Sequence, residues 1–580
     1  MGDQGLMAPA PMQAAPAPVP GPAPFDPPPP SALFAWQQWW ARLALSPIRQ
    51  ARLADLALHG AMRFASACIA PAAGSDVGGR MASASNDPRF EGPAWQQWPY
   101  NLHALGFSLQ QSWWREATRP LPGLPVRAQR LVEFAARQMI EAMSPANFPL
   151  TNPDVLSATL REGGANLLRG SAHLLDDLHR HQRRLPPAGT EPFRVGDTVA
   201  TTPGRVVFRN RLIELIQYSP KTPSVQAEPV LIVPAWIMKY YILDLSPGNS
   251  LVDWLVRKGH TVFMVSWLNP DARDHHLSLD DYLCDGLHAA LRVVGAIVPQ
   301  QPVHAVGYCL GGTLLAIGAA TMARDGAERI RTLSLFAAQT DFSRPGELEL
   351  FIDEAQLRWL DRQMQRTGYL DSRQMAATFA LLRPGELIWG RAVREYLLGR
   401  REPLIDLMAW NADGTRMPAR MHGEYLRALY LRNDLAQGRM LAGGRAVSLA
   451  DIRCPVFMVA TVADHVAPWE SVYELHRLTD TEITFVLTTG GHNAGVVNPP
   501  PVQGAPARRH YQIATRPAGD PASTLDPQRW RDLTPSTAGS WWTPWQTWLS
   551  SHGSGETEPP ASGHDGLDYG RAPGWYVRRR

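Results

Sequence analysis

Val303-His304-Ala305-Val306-Gly307-Tyr308-Cys309-Leu310-Gly311-Gly312 is the stretch that decides how the rest of the chain is read. A short apolar run closes on Gly-x-Cys-x-Gly-Gly, and Thr313-Leu314-Leu315-Ala316-Ile317 continues with helical character. That is the strand, sharp turn and helix of a nucleophile elbow, with cysteine at the tip where serine is commoner. Glycines two residues before and two after the tip suit such a bend, because a side chain at Gly307 or Gly311 would collide across it. The tip residue is expected in a strained backbone conformation, as at many reactive sites. Gly-x-Cys-x-Gly also arises by chance, and free cysteine is commonly a small buried hydrophobe, so the motif has to be judged by its surroundings.

On both sides of this stretch, short runs rich in apolar and β-branched residues recur. They are Val206–Phe208, Leu212–Ile216, Val230–Val233, Thr261–Val265, Val303–Val306, Thr332–Phe336, Val456–Ala460 and Ile483–Leu487. Helix-like segments such as Ser250–Lys258 and Asp280–Val298 lie between most of them. Apolar strands alternating with helices predict an α/β protein with a mostly parallel, doubly wound sheet. The alternation breaks between about Phe342 and Leu449, in a mainly helical stretch rich in Trp, Tyr, Met and Arg. An insertion late in the sheet, before the acid-bearing strand, is where the α/β-hydrolase fold places a cap. Residues 342–449 are therefore expected to be a lid within a catalytic domain spanning 191–550.

A cysteine nucleophile needs a base, and the base an orienting acid; in this fold they follow in the order nucleophile, acid, histidine. Asp464 lies just past the run Val456–Ala460, and His492 follows 28 residues later in the glycine-rich Thr488-Thr489-Gly490-Gly491-His492-Asn493-Ala494-Gly495. Open α/β sheets meet their ligands at such strand ends. Asp464 as an ordinary turn aspartate, His492 as a solvated loop histidine and His465 as a rival base are the plainer alternatives. Three residue types in the required order, each just past a strand, favour the triad Cys309, Asp464 and His492. Oxyanion donors are expected at the backbone N–H of Leu310 and in the loop Pro234–Lys239, near Trp236 or Ile237.

Composition bounds the rest. At 580 residues, 45% hydrophobic and 19% charged, the chain is globular and large enough for two or three units. A net charge of +3 gives no electrostatic footprint for nucleic acid. Cys68, Cys284, Cys309 and Cys454 lie far apart without Cys-x-x-Cys pairing, which fits a reducing cytoplasm and no metal centre. No run is long enough for a membrane span, and no secretion signal is legible. Residues 1–30 hold eleven prolines and no Lys or Arg, so they read as a disordered Pro/Ala-rich tail.

Residues 31–190 read as a helical N-terminal domain: Leu33, Trp36, Trp40 and Leu43 would share one helix face, and leucines from Leu156 to Leu178 recur similarly. Such stripes are expected to be buried internally, with docking on a hydrophobic partner as the sharper alternative. Residues 551–580, Gly/Ser/Glu-rich and closing on Tyr576-Val577-Arg578-Arg579-Arg580, read as a C-terminal tail.

From about Asp87 to Leu549 the chain resembles the polyhydroxyalkanoate synthases, and most closely their single-subunit class I type. The resemblance is carried by Met143–Phe148, Lys239–Leu245, Val265–Asp271, Gly307–Gly312, Asp341-Phe342, Trp410–Asp413, Asp464–Trp469, Gly491-His492 with Asn498-Pro499-Pro500, and Gly539–Trp542. It implies that Cys309, Asp464 and His492 are catalytic and that an (R)-3-hydroxyacyl-CoA is the substrate. It also implies a homodimer in the cytoplasm on polyhydroxyalkanoate granules, with granule-coating proteins as further partners, and no cofactor, the CoA thioester being substrate. Three positions depart from the family: Met238 where many members have Asn, Trp236 where some have Cys, and Asn493 for the common Ile. They flank the oxyanion loop and the base, so they bear on acyl-chain preference rather than on reaction type. Two rival readings are a cytoplasmic thioesterase or esterase with the same triad, and a non-catalytic granule-binding protein.

Overall fold

The computed structural model describes residues 31–69, 87–501, 504, 506–519, 524–564 and 566–580; the expected Pro/Ala-rich tail lies outside the described residues. One ten-stranded sheet organises the chain. Its strands are β1 (Gly204–Arg209), β2 (Ile213–Tyr218), β3 (Val230–Val233), β4 (Val262–Trp267), β5 (Val303–Tyr308), β6 (Ile330–Phe336), β7 (Val456–Thr461), β8 (Ile483–Thr488), β9 (His510–Arg516) and β10 (Ser536–Ala538). Their spatial order is β1-β2-β4-β3-β5-β6-β7-β8-β9-β10. The run from β4 to β8 is parallel, and the strands at both edges are antiparallel. All eight apolar runs of the sequence are strands here. β9 and β10 gave no such signal, because an antiparallel edge exposes one face and tolerates polar residues.

Alternate residues of the central strands enter two separate cores, as the pleat requires. Leu231, Ala305, Leu333 and Met458 pack on one face with Leu314, Leu315 and Ile317 of the helix Leu310–Arg324. Ile232, Val306 and Val459 pack on the other with Trp541, Trp542 and Trp545. Both faces are covered, which is why these strands are apolar throughout rather than alternating. Register then places the site: Val233 pairs with Gly307 and Tyr308 with Phe336, so β5 ends between its neighbours at the rim where β7 and β8 also end.

Between β6 and β7 the chain leaves the sheet for the helical insertion, including Glu354–Thr367, Ser372–Leu382 and Ala419–Tyr425. The N-terminal helices rest on this insertion. Arg127 donates to the carbonyls of Glu349 (3.0 Å), Ile352 (2.8 Å) and Leu350 (3.2 Å) and pairs with Asp353. Arg401 pairs with Asp176 and Asp177 at 3.0 and 2.8 Å.

The stripe expected on the first helix is only partly buried. Ala35, Trp39 and Leu43 form the inner face, and Trp39 donates its indole N–H to Ala117 O, while Leu33 and Trp40 are exposed. Leu160, Leu168, Leu174, Leu175 and Leu178 are exposed as well. A helix rich in apolar residues all round has several candidate faces, and the partner Ala117 selects one of them.

The last thirty residues correct the reading of a tail. They form a strap across the β1–β2 edge. Glu556–Thr557 pairs antiparallel with Val225–Gln226. Glu214, buried on β2, accepts the backbone N–H groups of Trp575 and Tyr576 at 2.9 and 2.8 Å and the Arg209 guanidinium at 2.7 Å. Tyr576 and Val577 are buried beside it. The strap is held by main-chain groups, which leave no periodic pattern in a Gly/Ser/Glu-rich composition. Ending the chain at Pro573 would strip a buried carboxylate of two donors, and is expected to cost about 3–5 kcal/mol. The midpoint of urea unfolding measures this.

Among the described residues, no helix is long and apolar enough to cross a membrane. None of their His, Cys, Asp and Glu side chains gather into a group of three that could hold a metal ion.

Candidate active site

Cys309 occupies the turn between β5 and the helix Leu310–Arg324 with φ of 51°, a left-handed conformation unusual for a side-chain-bearing residue. Its N–H donates to Phe336 O at 2.9 Å, and its carbonyl accepts the N–H groups of Gly312 and Thr313 at 2.9 and 3.2 Å. The strain is thus held by bonds on both sides of the residue. The glycines are there because two backbones nearly touch. A Cβ on Gly307 would come within 2.8 Å of Gly312 N, and one on Gly311 within 2.5 Å of Pro234 O. Gly311→Ala therefore pits helix against the neighbouring loop. It is expected to cost about 3 kcal/mol or more, read as a lowered unfolding midpoint.

Asp464 follows β7 and is fully enclosed. One carboxylate oxygen accepts the N–H groups of Val466 and Ala467, both at 2.8 Å; the other accepts the Thr461 hydroxyl at 3.3 Å and faces His492 Nδ1 at 2.8 Å. The carboxylate is oriented before it meets the imidazole. His492 follows β8, in a loop held from behind by tryptophans: Trp541 and Trp542 donate their indole N–H groups to Gly495 O and Val496 O at 2.9 and 3.0 Å. Burial opposes charge on this imidazole, but the Asp464 carboxylate and the Cys309 sulfur outweigh it and hold its pKa well above the usual histidine range. His492 is hydrogen-bonded to Asp464 and has the Cys309 sulfur near enough to help raise its pKa, so it lies between acid and sulfur. His465, the rival base, is exposed.

The loop after β3 runs beside the elbow. Among the described residues, no backbone carbonyl takes the N–H groups of Leu310, Trp236 or Ile237. The loop's carbonyls are engaged instead: Pro234 O by Trp267 Nε1 at 2.8 Å, Trp236 O by the Thr415 hydroxyl, and Ile237 O by Thr415 N–H at 3.0 Å. With the carbonyls anchored, these amides are left unclaimed by the backbone, which an oxyanion donor has to be.

The family comparisons bear on this geometry. Residues 86–255 match the model of the poly-beta-hydroxybutyrate polymerase (PhaC) N-terminus, and residues 228–499 that of the alpha/beta hydrolase fold. The chain is 39% identical over 498 residues to the poly(3-hydroxyalkanoate) polymerase subunit PhaC of Rhizobium meliloti, covering 85% of this chain and 80% of that one. The chain belongs to the poly(3-hydroxyalkanoate) polymerase family. It is also 40% identical to the polymerase of Methylorubrum extorquens over 85% of this chain and 81% of that one. The corresponding figures for the PhaC subunit of Cupriavidus necator are 34%, 85% and 83%.

Within this polymerase-family site, two of the three departures have visible consequences. Asn493 accepts the Tyr308 hydroxyl at 2.6 Å, next to the His492 ring. Trp236 packs edge-on against Trp267 and Tyr425 and tilted against Tyr282, and among the described residues its Nε1 has no partner.

Tyr425 and Tyr430, from the insertion, are the residues that sequence reasoning missed. Burial pushes the pKa of both hydroxyls up, and the neighbouring Cys309 sulfur adds to that in each. Only their place in an aromatic-rich insertion pointed toward them. Lys239 opens the family signature Lys239–Leu245; it is buried, and burial pulls its pKa down to about 8 against the opposing pull of Asp413, with Arg416, Arg580 and Arg579 lowering it further.

Proposed function

We propose that this chain polymerises (R)-3-hydroxyacyl-CoA into polyhydroxyalkanoate with release of CoA, carrying the acyl group on Cys309. Membership of the polymerase family makes it an acyltransferase. The observation that supports the assignment of residues is the 2.8 Å hydrogen bond from His492 to Asp464, with Cys309 at the elbow beside that imidazole.

In this reading the Cys309 sulfur attacks the thioester carbonyl, and the oxygen charge that develops is met by Leu310 N–H and an amide of the loop at Trp236 or Ile237. CoA leaves with the proton held at His492. Exchange of one thioester for another is nearly isoenergetic, so the acyl group keeps its activation. The 3-hydroxyl of the growing chain then gives its proton to His492 and attacks, forming the ester and freeing the thiol. A serine ester would sit level with the product and lose that driving force. Asp464 fixes the imidazole tautomer. Only protons and an acyl group move, so the steps call on no cofactor. Tyr425, Tyr430 and the lid keep water from the acyl-enzyme, since hydrolysis competes with extension.

In this reading the reaction runs in the cytoplasm at the granule surface, and exposed Leu33, Trp40 and Leu168, which would offer apolar contact to polyester, support it. A homodimer is carried over from the family resemblance. Incubation with (R)-3-hydroxybutyryl-CoA and longer homologues, following free thiol and sedimented polymer, tests the proposal. CoA release matched by insoluble polyester is expected. Free hydroxy acid without polymer would mean a thioesterase, and granule binding without CoA release a coat protein.

A further inference from the structure

The loop that would supply the second oxyanion donor has one hold that neither the sheet nor the lid provides. Trp267 and Thr415 pin its start and middle, and Trp410 Nε1 donates to Lys239 O at 2.7 Å. The Lys239 side chain then turns inward, with the residue only 3% exposed. Its ammonium donates to the carbonyls of Arg579 at 2.6 Å and Tyr576 at 3.4 Å, at the very end of the strap.

That end is itself fixed. Arg579 Nη2 pairs with Asp271 at 2.8 Å, and its carbonyl also accepts Asn269 Nδ2 at 3.2 Å. Burying an ammonium is costly unless its hydrogen bonds are made. The Asp413 carboxylate offsets part of that cost. The contact joins Tyr576 and Arg579 of the strap to the last residue of the donor loop.

We propose that Lys239 and the Arg579 carbonyl form a tether that positions the oxyanion loop, holding the amides of Trp236 and Ile237 toward the thioester carbonyl at Cys309. Both are positioning residues for the acylation step, and the inference rests on the Cys309 reading above. Misplacing a donor by about 1 Å is enough to lose roughly 10²-fold in rate, so a contact two residues away has leverage.

Two variants test it: the chain ended at Arg578, which keeps the Trp575 and Tyr576 amides on Glu214, and Lys239→Met with the chain end intact. Two rates are compared in each. Acylation is followed as the single-turnover burst of CoA from (R)-3-hydroxybutyryl-CoA. Alkylation is followed as iodoacetamide labelling of the Cys309 peptide by mass spectrometry. Alkylation displaces iodide from a saturated carbon and develops no oxyanion, so it reports the sulfur and its base without the donor loop.

The tether predicts acylation slowed about 10- to 100-fold with alkylation within about twofold of wild type. Acylation as fast as wild type in both variants would overturn it. So would equal slowing of both rates, or loss of the fold in both variants by urea unfolding, since the contact would then serve stability alone. Failure of the Cys309 reading looks different: wild-type protein gives no CoA burst, or Cys309→Ala keeps it, and the proposal goes with the function it rests on.

Discussion

Cys309→Ala is expected to reduce CoA release from a 3-hydroxyacyl-CoA to background, a loss of about 10⁴-fold or more. The size follows from the site. The sulfur sits at a positive-φ tip whose amide and carbonyl are bonded to β6 and the following helix, and it lies beside the His492 imidazole, whose pKa it helps raise. No other thiol shares this position: Cys68 and Cys284 are exposed, and Cys454 is held neutral by burial. Removing one sulfur from a buried site leaves the backbone bonds intact, so the unfolding midpoint should move little while turnover disappears. Cys309→Ser is the sharper control. It keeps a nucleophile of similar shape beside the same base, but an oxygen ester lacks the activation to pass the chain on, so acyl-enzyme should accumulate without polymer. Undiminished CoA release by Cys309→Ala, measured with a thiol reagent, would remove the sulfur from the mechanism.

Asp464→Asn is expected to lower kcat/KM by about 10³- to 10⁴-fold. One oxygen of the amide can still accept the Val466 and Ala467 N–H groups, so the loop should survive. The other position becomes an NH2 group facing His492 Nδ1, which turns a bond into a clash of donors and favours the wrong tautomer. The charge that offsets the burial of the imidazole is lost as well.

The sign of the pH effect follows from that loss. In the wild type the pKa of His492 is raised, so the stability it contributes is complete below the unfolded value of about 6.5. That contribution fades as pH rises through the raised folded value. Asp464→Asn should therefore be destabilised relative to wild type most near pH 6, and the gap should close on the alkaline side. Urea unfolding at pH 6 and pH 9.5, with a titration of the His492 ring by NMR, measures both. A gap that widens with pH would contradict the assignment.

How much of this was legible beforehand depended on how each feature is held. The six parallel strands announced themselves, because a parallel strand covered on both faces can hardly be anything but apolar. The elbow did so through its glycines, which stand where two backbones come together. Asp464 and His492 were found from chain order and their places just past strands, and the structure sets them 2.8 Å apart. The rival His465 is exposed while His492 meets Asp464, a difference of burial that composition does not record. The first helix shows the limit. Leu33, Trp36, Trp40 and Leu43 fit one stripe by spacing, yet the inner face runs through Trp39, chosen by a carbonyl about 80 residues away. Tyr425 and Tyr430 were invisible for the same reason, since nothing in their own segment says what they stand over.

The sequence by itself determined the scaffold and where on it the proposed reaction centre lies. Both are written in local terms: runs of apolar residues, glycines at a bend, and an ordered set of three chemical groups. Only the tertiary structure decided what holds that centre in place. Glu214 finds its donors in Trp575 and Tyr576, Lys239 its acceptors in Tyr576 and Arg579, and the His492 loop its support in Trp541 and Trp542. These partners are mostly backbone groups, which every residue carries alike, so the letters of the chain give no sign of where such bonds will close until it is folded.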